Sequence, residues 1–598
     1  MISRGALRAA VAGISLVLAL SGCGVSASSK PHKLAGGAYE PVAGPNFARP
    51  PAEPTAADPA QLVEDYLHAA AGGNEAAITQ VKLFLTKNGR KAWHAPGKGA
   101  TASILIIRVD DVTTQAQVGN GTPVDLTYHE VGTLNANTDD GRITPSTNTQ
   151  EQHQHLQVVR AADQPGQLRI DSGALPGLVL SEDALDDYFY SPQPIYFWDQ
   201  FNQVLVPDLR YVPLTVPTDQ RANKVIGWLQ NGPSRLLGDN AVNSLPINIS
   251  PTVGSRGSTL VIKLSPQAGG KGPDDARRLV YQLQASLNPV TNNRDLEIWI
   301  GNNPAPTTGP SDYQKYELSS EIPVPMQKYD IVDGVVKPAS SDSAATAPNL
   351  QMLGAKENSA VVYAAINRDD SMGAFVRATS PDPSLALIPN SGKAIIVHGL
   401  PQSDQISRPA WIPGINGLLV ASGGWLYLVD LNGKASRVST PGLGAITEVT
   451  VSPDGRRVAM LVGGQVTVAV LLASNAGPSV HLADGQPQTI APDTDLTPYA
   501  VSWDSEQRVY IVGRSSNDKP ALWRVTIDGA VATDLSDKLK GVAPVDLVTY
   551  PKGLSAPPSD GETVVLPPAP APPAQAVPYR VGSPQVVPDG TRNPFYVD

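Results

Sequence analysis

Few residues of this 598-residue chain have a type and spacing that could support chemistry, and the clearest is the single cysteine, Cys23. A cysteine thiolate is both a nucleophile and a metal ligand. One cysteine alone forms neither an intramolecular disulfide nor a Cys-based zinc site. Cys23 follows Ser21 and Gly22, two small residues that leave room for a peptidase.

The residues before Cys23 have the pattern of a signal peptide. Arg4 and Arg8 precede an apolar run over residues 9–20, which is too short to span about 30 Å of hydrocarbon but has the length of a signal-peptide core. The four residues that end at Cys23, Leu-Ser-Gly-Cys, resemble the bacterial lipobox. The resemblance implies removal of residues 1–22, a lipid anchor of the palmitate type on Cys23, and location at the extracytoplasmic face of the cell membrane. A secreted protein with a chance cysteine is the alternative.

Other candidate sites contain fewer suitable groups. His153 and His155 would share one face of a strand, a spacing that metal sites sometimes use, but a solvated strand edge is the favoured interpretation. Asp493 with Asp495, and the acidic turn at residues 139–141, could contact calcium, although such turns are usually only turns. The sequence contains no Gly-rich phosphate loop, no His-Glu-x-x-His helix and no Gly-x-Ser-x-Gly elbow. We therefore predict no enzyme, no cofactor and no metal site, and no ligand-binding residue is nominated.

Composition restricts the class of protein further. The chain contains 53 Gly and 56 Pro, and its charged fraction of 17% is below the roughly 25% of an average soluble protein. Such a chain is neither a coiled coil nor a helical bundle, and it is predicted to be multidomain and mainly β. The net charge of −10 argues against nucleic acid as a partner, because that binding needs clustered Lys and Arg.

The folded part is predicted to begin with a small α+β domain over residues 57–185. Asp58 and Pro59 form an N-cap followed by proline at the first helical position, a typical helix start. Two helical stretches precede four strands, which gives an α+β domain, and the order of elements resembles NTF2-like and cystatin-like folds. Residues 23–56 ahead of this domain are rich in Ser, Ala, Gly and Pro and are predicted to form a flexible tether.

Residues 186–305 are predicted to form a second α+β domain, with a hairpin, a helix, a strand, a second helix and a final strand. This order resembles the GerMN domain of spore-germination proteins, which is regarded as a binding or assembly module without known chemistry. The landmarks that carry the resemblance are the strands at 195–198 and 205–210, the helix stop at 229–233, the Leu245-Pro246 pair and the helix segment 282–287. Residues 306–345 are interpreted as a connector.

Internal repeats predict a β-propeller over residues 346–598. Units that begin at Trp411, Val451 and Val501 are 40 and 50 residues apart, and each contains a turn and two strands. A period of 40–50 residues with several strands per repeat is typical of propeller blades. The length allows five or six blades, and the Pro-rich stretch at 566–578 is predicted to be a loop beside the last blade.

Two kinds of residue within the repeats have structural interpretations. Asp454 lies in a Ser-Pro-Asp-Gly turn that resembles those of TolB-like and WD-type blades, and it is predicted to form that turn. Tryptophans recur at equivalent positions and are assigned to blade packing rather than to a sugar-binding platform: Trp411, Trp425, Trp503 and Trp523.

The order of lipobox, small N-terminal domain, GerMN-like domain and propeller resembles the LpqB lipoproteins of actinobacteria, over essentially the whole chain. The resemblance implies an exported, lipid-anchored, non-enzymatic protein. It also implies a link to the MtrA–MtrB two-component system, through the extracytoplasmic part of the sensor histidine kinase MtrB. Cys23 is the residue that carries over, as the lipidation site. This chain departs from the pattern in its weak first blades and its long Pro-rich stretch, which leaves the blade count open.

Three functions compete. The leading hypothesis is an accessory lipoprotein that modulates an MtrB-type sensor kinase and so affects cell-envelope and division homeostasis. The second is a lipoprotein that binds a cell-wall polymer such as peptidoglycan. The third is a hydrolase built on the propeller, which would need acid pairs in the central channel, and the repeats place none there visibly.

Overall fold

The computed structural model describes the residues of the three predicted domains with several gaps, all within a unit that spans Gly36–Asp598. Residues 1–53 lie outside the described residues, and with them the predicted signal peptide, Gly22, Cys23 and almost all of the tether. Asp493, Asp495 and most of the Pro-rich stretch also lie outside them. The described ranges are 54–71, 74–94, 103–134, 140–146, 148, 150–162, 164, 166–185, 189–202, 205–214, 216, 218–238, 241–257, 259–291, 295–306, 328–338, 350–403, 405–474, 479–482, 487–490, 496–539, 542–544, 546–549, 563–566, 579–580 and 593–596.

The N-terminal domain packs three helices against a sheet. The helices are α1 (Pro59–His68), α2 (Asn74–Leu83) and α3 (Lys87–Ala92). Helix α1 begins as the sequence predicts, because the Asp58 carboxylate accepts hydrogen bonds from the backbone N–H groups of Ala60 and Gln61, at 2.9 and 3.1 Å. Its apolar stripe faces the sheet, and Leu62, Val63, Tyr66 and Leu67 are buried there.

The sheet of this domain has six strands in the order β5-β4-β2-β1-β6, with β3 paired to β2. Strands β1 and β6 run parallel, and the other neighbours are antiparallel. The strands are β1 (Ile104–Thr114), β2 (Gly121–Leu134), β3 (Ile143–Pro145), β4 (Gln152–Arg160), β5 (Leu168–Ser172) and β6 (Leu178–Ser181). Helices packed with a largely antiparallel sheet around one core make this an α+β domain.

The second domain contains the predicted hairpin, helix, strand, helix and strand, with three short strands added. One sheet has the order β8-β7-β9 and a second has the order β10-β11-β12-β13, in which β11 and β12 are parallel. Leu279, Leu283 and Leu287 form the buried stripe of the second helix. The elements are β7 (Tyr190–Asp199), β8 (Leu205–Pro213), α4 (Thr218–Asn231), β9 (Ala241–Val242), β10 (Thr252–Arg256), β11 (Thr259–Leu264), α5 (Pro273–Thr291), β12 (Leu296–Ile300) and β13 (Asn303–Pro304).

The C-terminal region contains six successive small sheets within its described residues, as a six-bladed propeller requires. Blades one and two comprise β16 (Val361–Ile366), β17 (Met372–Arg377), β18 (Ser384–Pro389) and β19 (Ile395–Ile396), then β20 (Ala410–Trp411), β21 (Gly417–Ser422), β22 (Trp425–Asp430) and β23 (Ala435–Arg437). Blade three comprises β24 (Ile446–Val451), β25 (Arg457–Val462), β26 (Gln465–Ser474), β27 (Ser479–Leu482) and β28 (Gln488–Thr489). Blades four and five comprise β29 (Thr497–Ser505), β30 (Arg508–Arg514), β31 (Pro520–Thr526) and β32 (Ala532–Asp534), then β33 (Asp546–Thr549), β34 (Thr563–Leu566) and β35 (Tyr579–Arg580).

The sixth blade is assembled from both ends of the propeller. Strands β14 (Lys328–Val332) and β15 (Val335–Pro338) precede blade one, and β36 (Asn593–Tyr596) follows blade five. Strand β36 pairs with β14 in the order β15-β14-β36, so the inner strand is C-terminal and the outer two are N-terminal. Tyr329 of β14 and Phe595 of β36 stack with ring centroids 5.7 Å apart. Strands β14 and β15 lie in the stretch that the sequence analysis interprets as a connector.

Tight turns join the blade strands and fix how neighbouring blades approach. The Ser-Pro-Asp-Gly turn between β24 and β25 ends at Gly455, whose φ of +69° is in the left-handed region. A Cβ atom there would lie 2.8 Å from the Pro413 carbonyl oxygen of the preceding blade. Glycine is therefore required at this turn both for its backbone conformation and for the contact between blades.

Candidate functional site

The central channel of the propeller contains a cavity lined by polar and charged side chains. The inner strand of every blade contributes to its wall, and the cavity between them has a volume of about 90 Å³, enough for several water molecules. Its lining includes Arg408 and Glu448 at one end and Arg368, Pro413 and Pro453 at the other. The first end lies where the inner strands start, and the second where they finish.

Four side chains meet at the start of the inner strands, and we call them the mouth cluster: Tyr363, Arg408, Glu448 and Asp546. Each comes from a different blade. The Arg408 Nη2 atom donates to Asp546 Oδ2 at 2.6 Å, with both side chains about a quarter exposed. The Arg408 guanidinium carbon lies 5.8 Å from the centre of the Tyr363 ring, which is within the range of a cation–π contact. Tyr363 is 38% exposed.

The electrostatics of the mouth cluster are those of an acid pair. Glu448 lies deep among protein atoms although its side chain reaches the channel, and burial together with the nearby Asp546 carboxylate raises the pKa of Glu448 to about 8. Arg408 and a hydrogen bond from the Val501 N–H act in the opposite direction. Burial also raises the pKa of Tyr363, with Asp546 adding to the effect.

The cavity wall also contains polar atoms that the described residues do not satisfy. Trp411 and Thr549 line the channel and are 4% and 7% exposed. Within the described part of the chain, Trp411 Nε1 and Thr549 Oγ1 have no hydrogen-bond partner. Trp503, on the equivalent strand of another blade, does have one, because its Nε1 donates to the Thr450 carbonyl at 3.3 Å. Buried polar atoms without partners are uncommon in proteins.

A second charged cluster lies where the inner strands finish, and we call it the domain-facing cluster: Tyr196, Asp454, Arg457 and Glu506. Tyr196 belongs to the second domain, and its hydroxyl hydrogen-bonds Glu506 Oε1 at 2.9 Å. Arg457 is fully buried and donates both to the Pro207 carbonyl of the second domain and to the Glu506 carbonyl. Its Nη1 lies 4.0 Å from Asp454 Oδ2. This cluster therefore joins two domains through buried charge.

The charges of the domain-facing cluster are not fully compensated. Burial and the adjacent Asp454 carboxylate raise the pKa of Glu506 to about 7, against the lowering effects of Tyr196 and Arg457. Burial, with a contribution from the Glu506 carboxylate, raises the pKa of Tyr196 well above its usual value. In the described residues, Asp454 Oδ2 and Arg457 Nε lack hydrogen-bond partners.

Apolar and polar contacts extend the same interface to the N-terminal domain. Val470 and Leu472 of β26 belong to the core of the second domain, whereas Ala530 and Val531 belong to that of the N-terminal domain. The Tyr211 hydroxyl hydrogen-bonds the Asp528 carboxylate at 3.0 Å, in the turn between β31 and β32. Antiparallel pairing puts this turn on the same face of the propeller as the domain-facing cluster, which we call the strand-end face.

The opposite, strand-start face carries the mouth cluster and an exposed aromatic residue. Trp425 is 40% exposed, and the Arg437 guanidinium carbon lies 3.4 Å from the centre of its ring. The turn before Trp425 is adjacent to the start of β24, because the Ile446 N–H donates to the Gly424 carbonyl at 3.0 Å. Two arginine–aromatic pairs, Arg437 on Trp425 and Arg408 on Tyr363, therefore share this face.

Three sequence families match the chain in consecutive segments. The family described as "Lipoprotein LpqB, N-terminal domain" matches residues 52–186, and "Sporulation and spore germination" matches residues 188–306. The family described as "Lipoprotein LpqB beta-propeller domain" matches residues 334–555. The chain belongs to the LpqB lipoprotein family. The predicted family and the mainly β, three-part fold are thereby confirmed.

Relatives named "Lipoprotein LpqB" resemble this LpqB-family chain over most of its length. The protein of Rhodococcus opacus (strain B4) is 23% identical over 562 residues, which are 88% of this chain and 89% of that protein. The protein of Mycolicibacterium smegmatis is 24% identical over 567 residues, 90% and 91% of the two chains. The relatives are named lipoproteins and the matching families are not named enzyme families. In the described part of this chain, no helix is long and apolar enough to cross a membrane.

Solved structures also resemble part of the chain. One titled as a nidogen/laminin complex has a TM-score of 0.30 at 10% identity, and covers 46% of this chain and 98% of that chain. A putative TolB from Agrobacterium tumefaciens has a TM-score of 0.25 at 17% identity, and covers 34% of this chain and 73% of that chain.

The candidate residues nominated from the sequence of this LpqB-family member are not brought together. His153 and His155 are exposed on β4, where His153 pairs with Glu151 at 3.1 Å and His155 pairs with Asp125. Asp140 is 1% exposed and is bound by Arg142. Each of these three residues has its own partner, while Asp139, like Asp493 and Asp495, lies outside the described residues. The described residues contain no group of three or more His, Cys, Asp or Glu side chains that could hold a metal ion.

The interpretations of the blade residues have mixed outcomes. Asp454 forms its turn, since its Oδ1 accepts from the Arg456 N–H at 3.1 Å, but it also belongs to the domain-facing cluster. Trp411 and Trp503 are buried between blades, as expected for packing. Trp425 is an exception to the packing interpretation because 40% of its surface is exposed. Trp425 is the first residue of β22, the third strand of its blade, and this strand begins at the strand-start face.

Sequence reasoning missed the mouth cluster. The repeats place no acid pair in the channel visibly, whereas the structure brings Glu448, which lines the channel, close enough to Asp546 for the two carboxyls to affect each other. These residues are separated by 98 positions and occupy different places within their blades, so a repeat alignment does not pair them. A charged residue at the start of an otherwise apolar inner strand, as in β24, is the signal that could have indicated them.

Proposed function

We propose that this chain is a lipid-anchored, extracytoplasmic accessory protein that modulates an MtrB-type sensor kinase through protein–protein contacts. The observation that supports this function best is the strand-start face, where Trp425, Arg437, Tyr363 and Arg408 are accessible. Trp, Tyr and Arg are the residues most enriched at binding hot spots. In the described residues the other domains contact the strand-end face, which leaves these strand-start residues accessible to a partner.

Membrane anchoring would strengthen even a weak contact. Lipidation of Cys23 would confine the chain to the same surface as a membrane-bound kinase, and confinement raises the effective concentration of one partner around the other. The tether of residues 23–56 would provide the reach. The family name and the lipobox support this part of the proposal.

Binding between purified residues 24–598 and the extracytoplasmic domain of the MtrB-type kinase of the same organism tests the contact. We expect saturable binding, weakened about tenfold or more by Trp425→Ala, as for a hot-spot aromatic. Phe201→Ala is the matched control, because Phe201 is an exposed aromatic (46%) of the second domain. Equal losses in both variants, or no binding by the folded protein, would contradict the proposed contact.

The anchor has a separate test in cells. Cys23→Ser should weaken kinase signalling while binding in solution stays unchanged. Unchanged signalling at an equal protein level would count against a role for the anchor.

A second function, binding of a cell-wall polymer, is favoured by the mixture of carboxyl, guanidinium and aromatic groups at the channel. Sedimentation with purified cell wall separates the two functions. If the chain sediments with the cell wall and does not bind the kinase domain, the result would favour binding of the cell-wall polymer as the function.

A further inference from the structure

The mouth cluster has fewer cations than carboxyl groups. Asp546 uses one oxygen for Arg408, at 2.6 Å, and the other for the Leu547 N–H, at 2.7 Å. Glu448 receives a hydrogen bond from the Val501 N–H. No ion pair to Glu448 occurs among the described residues, and the one nearby guanidinium is held by Asp546. Glu448 therefore shares the charge of Arg408 with Asp546 and has no ion pair of its own among the described residues.

The same position is open to a ligand. Glu448 is only partly exposed, but it lines the cavity of about 90 Å³ that opens between the inner strands. Two further residues of the wall, Trp411 and Thr549, are more than nine-tenths buried and each has a polar atom without a partner in the described residues. A cavity lined by a carboxyl without an ion pair of its own and by unsatisfied polar atoms has the features of a binding site.

We propose that the mouth cluster binds one monovalent organic cation, a guanidinium or primary ammonium group, through Glu448 and Asp546 beside the Tyr363 ring. Charge-assisted hydrogen bonds to carboxylates and contact with an aromatic face are the usual means of holding such a group. A divalent metal ion fits less well. The described residues offer two carboxyls there rather than three ligands, and the fixed charge of Arg408 repels a doubly charged ion.

Proton release should accompany binding. The charged groups that act on Glu448 come from two neighbouring segments, Asp546 of β33 and Arg408 before β20, while β29 supplies the Val501 N–H. The Glu448 carboxylate in turn contributes to the raised pKa of Tyr363, on β16. Glu448 is largely protonated at neutral pH, since its pKa is raised to about 8. A bound cation stabilises the ionised form and lowers that pKa. Cation binding should therefore strengthen as the pH rises.

The cation has two possible sources, a free small molecule or an arginine or lysine side chain of a docked protein. Calorimetry with methylguanidinium represents the first source, and the blocked tripeptide Gly-Arg-Gly represents the second. The tripeptide Gly-citrulline-Gly is the uncharged isostere. Guanidinium does not titrate in this pH range, so any pH dependence belongs to the protein.

We expect both guanidinium probes to bind residues 24–598 and the citrulline peptide not to bind. Affinity should rise by roughly tenfold per pH unit between pH 6 and the pKa of Glu448. Glu448→Gln should weaken binding by about tenfold or more and abolish the proton release. Glu151→Gln is the matched control: it also removes one acid charge, from a side chain that is 52% exposed in the N-terminal domain, and it should leave binding unchanged.

Equal binding by the wild type and Glu448→Gln, equal losses in both variants, or binding of the citrulline peptide would overturn the proposal. Calcium binding without guanidinium binding would overturn it too. Should Glu448→Gln fail to fold, the wild-type pH profile decides, because a flat profile is incompatible with Glu448 as the site. Binding of only one guanidinium probe supports the site and identifies the source. The outcome is independent of the kinase, so failure here leaves the Trp425 test intact.

Discussion

The two ends of the propeller channel carry similar side chains, but these side chains are buried at one end and partly exposed at the other. Each end combines an arginine, two carboxyls and a tyrosine, and in each one glutamate has a raised pKa. At the strand-end face the tyrosine comes from another domain, and Arg457 is fully buried. At the strand-start face Arg408 is 27% exposed and all four residues are from blades. The charged groups are thus buried between domains at the strand-end face and accessible to solvent at the strand-start face.

The difference follows from what surrounds each cluster. A buried charge requires partners at fixed positions, because its desolvation costs several kcal/mol, and at the domain-facing cluster a second domain supplies two of them, the Tyr196 hydroxyl and the Pro207 carbonyl. A partly exposed charge retains water and can exchange it for a ligand. We infer that the first cluster holds domains together and that the second is available for binding.

The largest expected effect is at Arg457. Arg457→Met keeps most of the side-chain volume but removes the charge next to Asp454 and Glu506, so it should destabilise the protein by about 3–5 kcal/mol, as for breaking a buried pair. The matching change at the other end, Arg408→Met, should cost only about 0–1 kcal/mol because that pair is partly exposed. Denaturant unfolding of residues 24–598 measures both. Similar losses in the free energy of unfolding for the two variants would contradict the proposed difference between the two ends.

The second effect is a pH dependence of stability from Glu506. Its pKa is raised from about 4.5 to about 7 in the folded chain, so the folded state binds the proton more tightly than the unfolded state. The stabilisation is complete below about pH 4.5 and is lost as the pH rises through 7, on the order of 3 kcal/mol in total.

Glu506→Gln isolates this contribution. The variant should lose the part of the pH dependence between about 4.5 and 7 in thermal unfolding scans. Glu448→Gln is the matched variant. Because the pKa of Glu448 is raised to about 8, this variant should lose a component of the pH dependence of stability that extends to about pH 8. A Glu506→Gln profile that superimposes on the wild type would contradict the assignment.

The smallest effect concerns the two tyrosines. Tyr196→Phe removes the hydrogen bond to Glu506 across the domain interface and should cost about 1–2 kcal/mol. It should also raise the pKa of Glu506 further, because that hydrogen bond lowers it. Tyr363→Phe at the mouth should change the free energy of unfolding by less than about 0.5 kcal/mol. A cost for Tyr363→Phe as large as that for Tyr196→Phe would mean that the mouth is a structural site.

Local chemistry in the chain was enough to predict the elements that depend on neighbours in sequence. Asp58 and Pro59 start a helix because an N-cap needs only the next three residues. Leu279, Leu283 and Leu287 form a buried stripe because a helix puts every fourth residue on one side. The 40- and 50-residue repeats predicted blades because each of the blades that they mark folds from one continuous segment.

The sixth blade and both charged clusters could not be predicted in this way. Strands β14 and β36 are paired although more than 250 residues separate them, so no local period contains both. Glu506 acquires its partner from Tyr196, in another domain. Asp454 looks like an ordinary turn residue until the second domain packs over it and removes its water.

By itself the sequence determined the family resemblance, the order of the three domains and the predicted lipid anchor at Cys23, because these depend on residue order along the chain. The tertiary structure alone decided how the propeller closes, which face the other domains cover and which carboxyls become a pair. Those properties depend on distance and dielectric environment, and both arise only when remote segments pack together.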